Sequence, residues 1–476
     1  MCRMRFVLIA GVLLGAGSAC FAADNETLQR ENAQLRQRLE RLERDFDELK
    51  KLIMEQPKSV ESPKPVVPPK PTAVQTKPAA GPAAPLSEAD LQKITAMLAK
   101  DSANKKPVWS QLDIQLYGYV KADASYDNSR TTTGNYVLYV DPESTNTNDD
   151  EFNLTANQTR LGLKINGPAE SKIKSSGLVE FDFYGGTVEN KAQPMMRHAY
   201  LNLEWPEDRF SILAGQTSDT MSPLVPDTLN YTVLWDAGNI GYRRPQIRLT
   251  KGFGPKDNVS LKFEGAVART IGRTSPAPIT SESGEDAGFP TLQGRASVTF
   301  PFFARKPTTA VRHPPAEVGF SGHWGREEYD TAADGTHQDF ESWSVNLDVS
   351  TPVSDWLMIK GELFNGRNLN TYFGGIGQGV NLTTMREIAS KGGWVAATLG
   401  PWGKSRFNLG CGVDGVDSDD VASGSRTLNR CVFGNVIYSF NKNAEVGLEL
   451  SHWQTDYKGS DSADDMRAQT SFIYKF

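Results

Sequence analysis

From Gln111 to the last residue, apolar and polar side chains alternate one for one in a long series of short runs. In the first run Leu112, Ile114, Leu116, Gly118, Val120 and Ala122 share one face, and Asp113, Gln115, Tyr117, Lys121 and Asp123 share the other. A period of two is the signature of a strand with unlike environments on its faces. Sixteen such runs fall at about 113–126, 155–166, 172–184, 195–205, 209–217, 239–250, 257–269, 290–301, 316–326, 338–349, 354–366, 390–400, 404–414, 427–440, 443–457 and 465–476.

The links between them also alternate. Short ones at 167–171, 206–208, 252–256, 351–354, 401–403 and 441–442, with one longer member at 301–315, separate long Asp/Asn/Gly-rich ones such as 127–153, 218–238, 270–289, 367–389 and 414–426. A barrel crossing an outer membrane has short turns at one end and long loops at the other. The final run places Thr470, Phe472, Tyr474 and Phe476 on one face, with Gln469, Ser471 and Lys475 mostly on the other. That suits a strand between lipid and a wet lumen, and an edge strand of a soluble sandwich is the alternative for this run alone. An even strand count returns the C-terminus to the side on which the N-terminus lies. The expected fold class is an all-β transmembrane barrel of about sixteen antiparallel strands over 110–476, preceded by an α-helical coiled coil.

Composition agrees with this. Hydrophobic residues make up only 38%, while 42 glycines and 9% aromatics suit a barrel with one polar face. A formal charge of -6 argues against nucleic acid as a partner. No stretch offers 18 consecutive apolar residues, so no transmembrane helix is expected.

Residues 1–22 have the pattern of a signal peptide, with Arg3 and Arg5 before an apolar run and cleavage expected after Ala22. A lipidated Cys20 is the alternative, opposed by Gly17. Within 23–56, Leu28, Leu35, Leu42 and Leu49 recur every seven residues, with Asn32, Leu39, Phe46 and Ile53 four positions after each. Read as heptads, the flanking charges Glu31 and Arg36, Arg38 and Glu43, and Asp45 and Lys50 pair at the offset of a parallel periplasmic coil. The nine prolines of 57–85 mark a semi-extended linker, and Ser87 caps a short helix expected over 86–105. Cys411 and Cys431 flank one expected hairpin, where oxidising surroundings permit a disulfide and alternation sets them on opposite faces.

Five scattered histidines form no zinc motif, and neither a nucleophile elbow nor a phosphate loop occurs. No enzymatic activity and no cofactor are expected. The informative polar residues are those that alternation turns inward: Lys121, Arg160, Lys164, Arg244, Arg248, Lys262, Arg295 and Lys360, with the acids Asp182, Glu204, Glu264 and Glu362. The cluster Arg243-Arg244-Pro245-Gln246-Ile247-Arg248 is the densest basic stretch of the barrel. It follows the loop 218–238, whose Asp219, Asp227 and Asp236 would face basic wall residues if the loop entered the lumen. Rings of Arg and Lys in a pore favour anions, and the bland alternative is that they pair with neighbouring acids. Arg197 is expected to face outward near the rim, in step with Ala199, Leu201 and Leu203.

Thr159-Arg-Leu-Gly-Leu-Lys164, Arg197-His-Ala-Tyr-Leu-Asn-Leu203, Leu213-Ala-Gly-Gln-Thr217 and Ile240-Gly-Tyr-Arg-Arg-Pro-Gln-Ile247 resemble the DcaP-like trimeric porins. The likeness covers essentially the whole chain. It implies a homotrimer joined by a three-stranded periplasmic coil, and uptake of small anionic solutes with dicarboxylates as a substrate class. The expectation is therefore an outer-membrane porin in contact with outer-membrane lipid, passing small hydrophilic solutes passively and favouring anions. Lys121, Arg160, Lys164, Arg244, Arg248 and Arg295 are its candidate pore-lining residues. The alternative is a structural protein whose coil and linker tether the membrane to peptidoglycan.

Overall fold

The structure, a computed structural model, describes residues 112–476 apart from the stretches 146–148, 169–171, 187–191, 256–257, 273–283, 302–313 and 331–336. The signal segment at 1–22, the coil at 23–56, the linker at 57–85 and the short helix at 86–105 lie outside the described residues, as does most of the link 301–315.

The alternating runs become strands. They are β1 (Asp113–Asp127), β2 in two segments (Glu151–Thr155 and Arg160–Asn166), β3 (Lys174–Asp182), β4 (Met195–Trp205), β5 (Phe210–Ser218), β6 (Arg243–Phe253), β7 (Ser260–Ala268) and β8 (Thr291–Phe300). The second half comprises β9 (Ala316–Asp330), β10 (His337–Ser354), β11 (Leu357–Arg367), β12 (Ala389–Trp402), β13 (Ser405–Val416), β14 (Arg426–Ser439), β15 (Ala444–Tyr457) and β16 (Ala463–Lys475). Each pairs antiparallel with the one before it, and β16 pairs back onto β1, closing a sixteen-stranded barrel among the described residues. Both segments of β2 lie against β1, so residues 156–159 interrupt one barrel strand without adding another.

Closure depends on one glycine. Gly118 and Phe476 exchange two backbone hydrogen bonds of 3.1 Å. A Cβ on Gly118, whose φ is +155°, would stand 2.1 Å from the carbonyl oxygen of Arg160, so the junction of β1, β2 and β16 accepts no side chain there. On β16 the sides separate as the alternation predicts: Phe472 is 59% exposed on the outer wall and Ser471 is fully buried in the lumen. At the short-turn end, Trp356, Trp402, Phe407, Tyr438 and Phe440 form adjacent ring contacts on the outside, as an aromatic girdle does.

Three expectations need correction or completion. Strand β6 starts at Arg243 rather than near 239, because residues 239–242 still belong to the preceding loop. Arg197 faces inward, not outward: between β3 and β4 the register jumps from Glu180↔His198 to Phe181↔Met196, so Arg197 is the extra residue of a β-bulge. A bulge re-aims a side chain against the wall's parity, and Arg197 reaches Glu180 and Asp182. Cys411 is exposed and Cys431 buried, and both are free; they sit on neighbouring strands but opposite faces of the wall.

Candidate functional site in the barrel lumen

The loop 219–242 folds into the barrel. Its neck is shut where the Asp219 amide donates to the Tyr242 carbonyl at 2.9 Å and the Asp219 carboxylate accepts from the Tyr242 amide at 2.8 Å. From there it crosses to the far wall. Glu362 on β11 accepts the amide of Leu224 at 2.8 Å, and Glu449 on β15 accepts those of Leu229 and Asn230 at 2.6 and 3.2 Å. Asn435 and Asn429 on β14 donate to the carbonyls of Asp227 and Asp236. An irregular segment inside a barrel must satisfy its backbone groups on the wall, and inward carboxylates and amides provide the partners. Where the loop returns, Gly238 adopts φ +114°, and a Cβ on Gly412 of the wall would stand 2.2 Å from the carbonyl oxygen of Ala237.

Apolar packing holds the loop down. Leu234 and Ala237 join Val137 and Val140 of the loop 128–150 and the inward side chains of Trp394, Phe433 and Trp453 in a buried cluster. A second external loop, 368–388, also turns inward. Phe373 stacks on Trp235 with centroids 4.3 Å apart and planes 7° apart, and its carbonyl accepts the amide of Asp236 at 2.9 Å. Burial, against the opposing pull of Arg244, raises the Tyr372 phenol above its ordinary value, so it stays neutral. Burial, with Asp182 nearby, does the same to Tyr231.

Between the inserted loop and strands β1, β2, β4, β5 and β6 a cavity of about 320 Å³ stays open. Arg160, Arg197 and Arg243 line it, with Tyr119, Tyr231 and Trp235 among its walls. Glu180 lies 2.8 Å from Arg197 and 3.5 Å from Arg160, and Asp182 lies 2.6 Å from Arg197. Tyr117 donates a further hydrogen bond to Glu180 at 2.8 Å. Arg243 differs. It is 7% exposed, its Nη2 has no hydrogen-bond partner, and its guanidinium lies over the rings of Tyr242 and Trp235 at 4.8 and 5.7 Å. Its neighbour Arg244 is instead shut against Asp219 at 2.8 Å and over the ring of Tyr372 at 3.9 Å. Four guanidiniums (160, 197, 243, 244) thus meet three carboxylates (180, 182, 219), leaving one positive charge, and it sits on the cavity.

The other residues singled out from sequence lie elsewhere in the lumen. Lys121 is buried against Asp123, the Gln158 side chain and the Leu229 carbonyl. Lys164 covers the ring of Tyr117 at 4.7 Å. Arg295 is held among Asp348, Glu317 and Glu264, and Arg248 and Lys262 also approach Glu264, so three cations balance three acids there. Asp227 pairs with Lys360 at 3.3 Å, and Asp236 accepts the amide of Gly377 at 2.9 Å. Of the three loop acids, only Asp219 lines the cavity.

Arg197 and Arg243 are the two cavity arginines that alternation passed over. A bulge leaves no mark on sequence parity, so nothing in the chain announces Arg197. Arg243 lies within the basic cluster that stood out, but counting alternate residues selects Arg244; as the first residue of β6, Arg243 answers to the loop rather than to the wall.

Residues 88–268 match the DcaP outer membrane protein family, a narrower span than the whole-chain likeness expected. No curated protein matches the chain. Among solved structures, the outer membrane channel DcaP of Acinetobacter baumannii has a TM-score of 0.64 and 21% identity over 78% of this chain and 99% of that one. The anion-selective porin from Comamonas acidovorans gives 0.48 and 13% over 77% and 100%. The trimer form of OmpT from Vibrio cholerae gives 0.47 and 11% over 77% and 99%. With this family match and the barrel fold shared with the DcaP channel, the chain is an outer-membrane porin-like β-barrel that resembles DcaP.

Proposed function

We propose that the protein is a porin through which small hydrophilic solutes diffuse passively, with a preference for anions such as dicarboxylates. Passage runs beside the inserted loop, through the cavity between it and the wall. The observation that carries this reading is Arg243, a buried guanidinium with an unpartnered Nη2 on that cavity. Such a group draws an anion by Coulomb attraction and offers it hydrogen bonds, while a cation meets repulsion. Arg160 and Arg197 add donors along the same wall. Arg244, Arg248, Arg295 and Lys121 contribute to the lumen field from paired positions and Lys164 from over the ring of Tyr117, and Asp219, Asp227 and Asp236 pin the constricting loop. The working assembly in this reading is a homotrimer in outer-membrane lipid. The heptads of 23–56 support it, and the apolar outer wall suits a lipid setting.

Reversal potentials in planar bilayers under a salt gradient test the anion preference. The unaltered chain is expected to be anion-selective, and R243Q to lose part of that selectivity. A unit charge about 6 Å from a permeating ion is worth about 0.7 kcal/mol at a water-like dielectric, so its loss should lower anion permeability and raise cation permeability about threefold each, and their ratio should fall about tenfold. A cation-selective barrel, or an R243Q channel with unchanged reversal potential, contradicts the assignment.

A further inference from the structure

A second cavity, of about 420 Å³, opens at the long-loop end of the barrel, between the loops 368–388 and 417–425 and the ends of β9 and β14. It is separate from the lumen cavity and shares no residue with it. Its lining divides sharply. Val380, Leu382, Ile388 and Val421 give it an aliphatic body, with Ile388 and Val421 buried. The amides on its rim are already engaged. Gln378 donates to the Arg426 carbonyl at 2.9 Å, Asn381 donates to the Asp420 carbonyl at 2.8 Å, and the Asn381 side-chain oxygen accepts the amides of Thr383 and Thr384.

Arg426 is the lining group with charge to spare. Its Nε donates to the Ile376 carbonyl at 2.9 Å and its face lies 4.1 Å from the ring centroid of Tyr139, so the guanidinium is fixed in place. Among the described residues no carboxylate forms an ion pair with it. A held guanidinium whose outer nitrogens have no hydrogen-bond partner among the described residues is set to take a carboxylate, and a pocket of this volume is of the size that seats small ligands.

We propose that this cavity is an external binding site for a small monocarboxylate with a short aliphatic chain, its head on Arg426 and its chain along Val380, Ile388 and Val421. A dicarboxylate fits it poorly, since its second charge would face the aliphatic lining. The site therefore selects a different class of anion from that proposed for the lumen.

The test is equilibrium binding of sodium hexanoate to the full chain in lipid nanodiscs. Saturable binding is expected, with acetate and succinate each weaker by about tenfold or more. R426Q should weaken hexanoate by about tenfold or more. Val421→Ser, which keeps the guanidinium, should weaken it about threefold, and this second variant serves if R426Q fails to assemble, as judged by heat-modified mobility. Removing the lumen charge with R243Q should leave hexanoate binding as it is. Equal binding of succinate or hexanol, insensitivity to the folded pocket variants, or loss of binding in R243Q would each overturn the assignment.

Discussion

Arg243 and Arg244 are neighbours in the chain and opposites in setting. Arg244 is enclosed with a carboxylate at 2.8 Å and an aromatic face, so its charge is spent on holding the neck of the inserted loop. Arg243 is almost as buried yet has aromatic faces and, among the described residues, no acid paired with it. Aromatic rings stabilise a cation without cancelling its charge as seen by a passing anion. Glycine 412 makes the complementary point about space. Its missing Cβ lets the loop backbone at Ala237 rest directly on β13. Gly412→Val should leave the barrel closed but push the loop tip off the wall, with an overpacking strain of about 1–3 kcal/mol. Single-channel conductance should rise in that variant, and an unchanged conductance would mean that the loop does not set the narrowest point.

At the scale of elements, two loops from different parts of the chain brace each other across the lumen. Loop 219–242 supplies Trp235 and loop 368–388 supplies Phe373, and backbone hydrogen bonds from Asp236 to Phe373 and from Gly241 to Tyr372 run alongside the ring stack. Losing a stacked pair of this kind costs about 0.5–1.5 kcal/mol beyond buried area. Phe373→Ala should therefore raise the population of a displaced loop by up to about tenfold, seen as added open-channel current noise with the mean selectivity retained. Noise no different from the unaltered channel would show that the wall anchors at Glu362 and Glu449 suffice. The strands were legible in the sequence because each carries its own period-two record, from Leu112 to Phe476. Trp394, Phe433 and Trp453 break that record: they are apolar yet face inward, because what covers them is another part of the chain and not water.

For the whole molecule, closure rests on β1 meeting β16, with the chain's last residue bonded to Gly118. Deleting Phe476 removes two backbone hydrogen bonds and one outward aromatic at the short-turn end. Assembly should fall, measured as the fraction of heat-modifiable folded barrel, while channels that do form should conduct normally. Normal assembly of the truncated chain would contradict the closing role of that strand.

By itself the sequence determined the strand count, the separation of short turns from long loops, the lipid-facing and lumen-facing sides and the place of closure. All of these are local: a strand's period and a turn's length are recorded within ten or so residues. The tertiary structure decided which charges are free. Whether Arg295 is neutralised, whether Arg197 turns inward through a bulge, and whether Arg243 lacks an acid depend on partners on other strands, 53 positions apart for Arg295 and Asp348, and on how two loops fold back through the lumen. Charge balance in a closed space is a sum over every wall, and no single stretch of chain contains it.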